Sequence, residues 1–147
     1  MKAVQFSEYG DPDVLRVADV EEPHAGPGQI RIAVRAASVN AIDCKKRSGM
    51  LAEIMPVELP HTPGYDAAGV VDAVGDGVEE VAVGDEVFGF TAGSGGGYAE
   101  YAVLDRFAAK PPELSFEEAA GYPVAVETSA RVLDLLGDGE TVIVNGA

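Results

Sequence analysis

The residues that could do chemistry in this 147-residue chain are few. Asn40 stands where an apolar, strand-like run gives way to a polar stretch, and its amide offers two donors and an acceptor. That set pairs with a carboxamide or a carbonyl edge; the other reading is a loop asparagine serving its own backbone. Lys46 and Arg47, on an expected short helix after Asp43, form a rare basic cluster in an acidic chain. They suit a cofactor phosphate or an anionic substrate edge, or else they form a solvated helix face. Asp43 and Asp66 read as groups that orient neighbouring backbone or basic groups, not as acid–base catalysts. The single cysteine, Cys44, has no histidine beside it in sequence and reads as packing. His24 lies in an expected surface turn, His61 precedes Thr62-Pro63, and neither has a ligand partner at helical spacing. One cysteine cannot form an intramolecular disulfide and is too few for a Cys-based zinc cluster. The run Gly93-Ser94-Gly95-Gly96-Gly97 has the composition of a phosphate loop, but a strand follows it where the dinucleotide fingerprint requires a helix. It reads as a flexible turn.

These residues need a scaffold, and composition says which kind. A length of 147 residues and 15.2 kDa supports one core, with an appendage at most. Apolar residues make up 47% and charged residues 24%, a globular balance. The formal net charge is −15, from 10 basic and 25 acidic residues, which argues against nucleic acid or an anionic membrane surface as partner. No stretch approaches the roughly 18 apolar residues that span a bilayer, and no apolar leader follows Met1, so the expected location is cytoplasmic.

The 18 glycines and 9 prolines punctuate short apolar runs, the pattern of strands joined by tight turns. Strands are expected at 3–6, 15–20, 29–36, 68–74, 86–89, 98–103 and 107–110, together a barrel-like β domain. In the third of these, Ile30, Ile32 and Val34 share one face, and Arg31 and Arg35 share the other. From Ser115 the pattern changes. Ser115-Phe116-Glu117-Glu118 fits a capping box that starts a short helix. Pro123 suits a first helical turn, and a longer helix is expected over 124–136, stopping at Gly137. The apolar run 141–144 predicts a strand buried on both faces, the opening of a parallel-sheet domain whose remainder lies beyond this sequence.

In order along the chain come Met1-Lys2-Ala3, Gly26-Pro27-Gly28-Gln29, Ala37-Ser38-Val39-Asn40-Ala41-Ile42-Asp43, Pro63-Gly64-Tyr65-Asp66-Ala67-Ala68-Gly69, Val83-Gly84-Asp85-Glu86-Val87, Gly97-Tyr98-Ala99-Glu100-Tyr101 and Ala119-Ala120 before Pro123-Val124-Ala125. This succession resembles the medium-chain dehydrogenase/reductase superfamily, in particular its zinc-independent quinone oxidoreductase branch. The resemblance implies a mainly β chain: a GroES-like barrel at 1–117, then at 118–147 an interdomain helix and the first strand of a truncated Rossmann-type α/β domain. In zinc-dependent relatives a Cys-x-x-Asp segment, a Gly-His-Glu segment and a later cysteine hold catalytic zinc; the corresponding residues here are Asn40, Tyr65 and Val124. None is a good zinc ligand, and a structural zinc lobe would fall where this chain has Gly93 to Gly97.

Residues that supply no Lewis acid favour electron-poor acceptors, since a quinone or enone accepts hydride directly from a nicotinamide held in register. The resemblance therefore implies an NADPH-dependent reductase of small-molecule quinones or enones, with Asn40 and Tyr65 as catalytic residues. Asn40, Lys46, Tyr65, Thr128, Asn145, Gly146 and Ala147 are the expected cofactor contacts, no residue holds a metal, and a homodimer is compatible with the complete protein. The preference for NADPH over NADH comes from the family alone. Because the pyrophosphate is held by a glycine-rich loop that follows position 147 in the family, residues 1–147 alone are expected neither to bind NADPH tightly nor to reduce quinones. The rival reading is a GroES-like barrel kept as a non-enzymatic binding or interaction module.

Overall fold

The computed structural model describes residues 1–93, 95–136 and 143. Six strands and three α-helices follow one another as β1 (Lys2–Gln5), β2 (Arg16–Asp19), β3 (Ile30–Ala37), α1 (Ala41–Arg47), β4 (Asp66–Val74), β5 (Glu86–Thr91), β6 (Tyr101–Ala109), α2 (Phe116–Ala120) and α3 (Pro123–Leu136). Strands β3 to β6 close into an antiparallel barrel in which β3 pairs with both β4 and β6. Strands β1 and β2 form a separate two-stranded sheet, joined to the barrel through the Ala3–Ala99 bridge. The fold is mainly β, as the sequence implied.

Two differences from the sequence reading have physical causes. The segments 98–103 and 107–110 are not two strands, because β6 runs without a break from Tyr101 to Ala109. The charged pair Asp105 and Arg106 looks like an interruption in sequence, but both side chains are exposed and the Arg106 guanidinium lies over the Phe90 ring. The barrel itself therefore uses four strands, and closure leaves none of them with an unpaired edge. Of the expected strand 141–144 only Ile143 is described, outside any strand and exposed; the rest of that segment, the stop at Gly137 and the three terminal residues lie outside the described residues.

The period of two predicted on β3 is realised. Ile30 and Ile32 are fully buried inside the barrel with Ala67, Val71, Val87, Ala102 and Leu104, and Val34 packs against them. Burying each large aliphatic side chain contributes about 1.5–3 kcal/mol. On the opposite face Arg31 reaches Asp72 at 2.8 and 3.0 Å and lies over the Tyr101 ring. A register shift between Val34 and Ala36 ends the simple alternation. Beyond it Ala36 packs with Ala68 and Phe88 against Ala119 and Ala120 of α2, outside the barrel. The same irregularity sends the chain into Ser38 and Asn40. Gly69 on β4 has no room for a side chain, since a Cβ there would lie 2.2 Å from the Ala33 carbonyl oxygen of β3.

The Asp66 corner, a candidate active site

Asp66 opens β4 and is completely buried, which requires its carboxylate to be paired. Three donors from two segments meet it. Ser38 Oγ and Asn40 Nδ2 each donate at 2.9 Å, and the backbone N–H of Val124, in the first turn of α3, donates at 3.2 and 3.3 Å. The anion thus sits at the N-terminus of a 14-residue helix, where the macrodipole favours it. Asn40 also donates to Ser38 Oγ at 3.0 Å, so both amide hydrogens are engaged, and its side chain caps α1 in a reciprocal box with Asp43.

A second buried carboxylate, Asp43, holds the loop beside it. It accepts from the backbone N–H of Asn40 at 2.8 Å and of Gly64 at 3.0 Å, and from the Tyr98 hydroxyl at 3.5 Å. Burial pushes the Asp43 carboxyl above its ordinary value against the pull of those backbone donors. Burial, with the Asp43 charge behind it, pushes the Tyr98 phenol upward as well, so the hydroxyl stays a donor, to the Ser38 carbonyl at 3.1 Å. Gly64 is required at this point. Its φ is +104°, and a Cβ would fall 2.6 Å from the Tyr98 ring and 2.9 Å from Gly97 Cα. Thr91 fixes the same backbone from the other side, with its hydroxyl on the Gly64 carbonyl at 2.9 Å and its N–H on the Tyr65 carbonyl at 2.8 Å.

Lys46 is one turn beyond Asp43 on the inward face of α1. It is 4% exposed, and its ammonium stands 4.9 Å from the centroid of the half-buried Tyr65 ring. The α1 face therefore meets the 64–66 segment twice, Asp43 on Gly64 and Lys46 on Tyr65. The solvated reading of Lys46 is not what the chain adopts. Cys44, expected in packing, is exposed, because turning Asp43 and Lys46 inward turns the residue between them outward.

The structure thus brings Asn40, Tyr65 and Lys46 to one corner, Asn40 and Tyr65 being linked through Asp66. Thr128 is exposed on α3, one turn past Val124 and on the same helix face. Asn145, Gly146 and Ala147 lie outside the described residues. In the glycine run Gly96 and Gly97, with Tyr98 after them, donate their N–H groups to the carbonyls of Pro63, Gly64 and Pro63, at 3.3, 2.9 and 3.0 Å. Those donors are not available to a phosphate. Sequence reasoning missed Ser38, Tyr98 and the Val124 backbone, and it saw Asp66 only as an orienting group; the available signal was the position of Ser38 two residues before Asn40. No group of three or more His, Cys, Asp or Glu side chains among the described residues could hold a metal ion, and no helix among them is long and apolar enough to cross a membrane.

A closed barrel with an interdomain-type helix docked on a buried carboxylate defines a class. The sequence profile of the alcohol dehydrogenase GroES-like domain matches residues 26–113, and the chain belongs to that family. Its place there is the quinone oxidoreductase branch of the medium-chain dehydrogenase/reductase superfamily. It is 40% identical, over its whole length, to the quinone oxidoreductase of Lama guanicoe, of which it spans 46%. Against the NADPH-dependent alkenal/one oxidoreductase of Arabidopsis thaliana the identity is 36%, again over the whole chain and 41% of the relative. The crystal structure of Escherichia coli quinone oxidoreductase complexed with NADPH superimposes with a TM-score of 0.81 at 29% identity, over 94% of this chain and 42% of that one. The chain spans less than half the length of these relatives.

Proposed function

We propose that the chain forms the substrate-side part of an NADPH-dependent oxidoreductase that reduces quinones or other conjugated carbonyls by direct hydride transfer without zinc. The observation that carries this reading is the meeting of Asn40 and Val124 on Asp66, with Tyr65 next in the chain. By the resemblance described above, Asn40, Tyr65 and Val124 occupy the zinc-ligand positions of zinc-dependent members. Here those positions offer an amide, a phenol and an aliphatic side chain. The neighbouring carboxylate, Asp66, already accepts from Ser38, Asn40 and Val124 on Oδ2 and from Val124 on Oδ1. The donor set does not fit zinc.

It does fit the nicotinamide end of a dinucleotide. Asn40, clamped by Ser38 and Asp66 and capping α1, would present the remaining lone pair of Oδ1 to a carboxamide N–H. Tyr65, its backbone fixed by Thr91, would supply a flat wall beside the reacting atoms and a hydroxyl for the acceptor oxygen. Thr128 would meet the ribose or phosphate side, and Asn145, Gly146 and Ala147 complete the proposed cofactor contacts. When bound, NADPH supplies the hydride. The protein's contribution is positioning, and preorganised contacts of this kind offset much of the entropic cost of bringing two reactants together. A small conjugated carbonyl is the substrate class.

A chimera tests the proposal: this chain continued by the remainder of the E. coli quinone oxidoreductase, assayed with NADPH. The expected result is turnover of a benzoquinone and of an α,β-unsaturated ketone, with no oxidation of simple alcohols by NADP⁺. Alcohol oxidation without quinone turnover would contradict it. Residues 1–147 alone are proposed to turn over neither, and micromolar one-site NADPH binding to them in calorimetry would refute the placement of the cofactor.

A further inference from the structure

Lys46 is the charged group at this corner that the network of carboxylates does not use. Asp66 is matched by Ser38, Asn40 and α3, and Asp43 by Asn40, Gly64 and Tyr98. Lys46 is as buried as Asp43, yet among the described residues its ammonium has only the Tyr65 ring as a partner, with no hydrogen bond or ion pair. Its neighbours on α1 do not resemble it: Lys45 is exposed, and Arg47 is turned away to the Gly10 carbonyl at 2.7 Å. The stem of Lys46 is buried while its ammonium keeps contact with solvent over the Tyr65 ring, so its three donors, with no protein acceptor, are open to a ligand. The ring face meets it on one side only. The formal charge of −15 makes a standing anion at this position all the less expected.

We infer that Lys46 is a catalytic residue whose ammonium, held against the Tyr65 ring, donates to the acceptor oxygen that becomes negative during reduction, and that it does not bind a cofactor phosphate. This rests on the reductase reading above and deepens it. As hydride from the nicotinamide reductant adds to the conjugated carbon, the displaced π electrons move onto the carbonyl oxygen. Lys46 donates a hydrogen bond to that oxygen and then a proton, which gives the enol or phenol, and the amine takes a proton back from water. The reductant loses two electrons and the acceptor gains them. The site is thereby selective for acceptors whose reduced form is an enolate or a phenolate, because only there does full charge develop beside the ammonium. Tyr65 is the positioning partner, its ring setting the height of the ammonium.

Two measurements test this, one of them without turnover. In the first, 4-nitrophenol is titrated against the 147-residue chain across pH, and ionisation is read from the visible absorbance of the phenolate. Bound nitrophenol is expected to ionise at about tenfold lower hydroxide concentration than free, as beside an opposite charge at close range. That shift should vanish in Lys46→Met, which keeps the length of the side chain, and persist in Lys46→Arg. A urea midpoint for each variant establishes that it folds, and Tyr65→Phe, which retains the ring, should preserve the shift. Unshifted ionisation in the wild type, or an equal shift in Lys46→Met, overturns the inference. In the second, the chimera carrying Lys46→Met should lose about 100-fold in kcat for a benzoquinone with little change in KM for NADPH. A rise in KM for NADPH at unchanged kcat would return Lys46 to a phosphate contact. A nitrophenolate shift in a chimera that reduces nothing would overturn the reductase reading and uphold the oxyanion contact.

Discussion

The Asp66 corner and the outer face of α3 are joined by a single backbone N–H, that of Val124, and they are built on opposite terms. At the corner, polar groups from the 38–40 segment, α1, the 61–66 segment and α3 gather on two buried carboxylates, Asp43 and Asp66. On α3, Val126, Val132, Leu133, Leu135 and Leu136 are half or more exposed. Concavities of about 550 and 330 Å³ flank this helix, lined by Tyr122, Val126 and Leu133 among others. The difference teaches where specificity is stored. The corner fixes directions, since Ser38, Asn40, Gly64 and Val124 each donate to one of two buried carboxylates. The α3 face offers apolar area with no preferred direction. Substitutions should therefore be severe at the corner and nearly silent along α3.

The largest effect is expected from Asp66→Ala, which leaves the Ser38 hydroxyl, the Asn40 amide and the Val124 N–H without their shared acceptor. A loss of about 4 kcal/mol is predicted, measured by urea unfolding. A loss below about 1 kcal/mol would mean that water replaces the carboxylate and that the corner is not a closed network. Gly64→Ala comes next, at about 2–3 kcal/mol, from the strained φ and the contact with Tyr98. Because Tyr98 and Gly97 are the atoms in the way, Tyr98→Ala should recover part of that loss, and a double-mutant cycle would detect the coupling.

The pH dependence of stability sharpens the comparison further. Burial raises the Asp43 carboxyl in the folded state, so between its unfolded and folded values the native chain binds the extra proton. Stability from this group is present below the unfolded value and is lost as pH rises through the folded one. The stability of the wild type relative to Asp43→Asn should therefore fall over that acidic window and level off above it. A difference that rises with pH would reverse the assignment. The smallest effect is expected on α3, where Leu135→Ser, at a position 83% exposed, should shift stability by less than about 0.5 kcal/mol in this chain.

What could be read from sequence divides along the same line. Local signals came through intact. Ser115 and Glu118 form the reciprocal capping box, at 3.1 and 2.9 Å, and Pro123 opens α3. The alternation on β3 put Ile30 and Ile32 in the core and Arg31 outside. The polar network was not legible, because its partners are far apart in the chain: 58 residues separate Asp66 from Val124, and 55 separate Asp43 from Tyr98. No spacing rule encodes such a pairing. Lys46 read two ways in sequence, as a phosphate or anionic-substrate contact or as part of a solvated face. Only the rotation of α1 set by Asp43 on Gly64 decides that it, and not Lys45, turns inward. The barrel was read as more strands than it has because β6 was split in two and because nothing in the sequence sets β1 and β2 apart as a separate sheet.

In the proposed reductase this corner works through positioned amide, phenol and ammonium groups and not through a metal. The most direct test is to purify the chimera, dialyse it against a strong chelator and measure zinc content together with NADPH-dependent benzoquinone reduction. No stoichiometric zinc is expected, and turnover should be the same before and after chelation. About one zinc per chain, with activity abolished by the chelator and restored by added Zn²⁺, would contradict it.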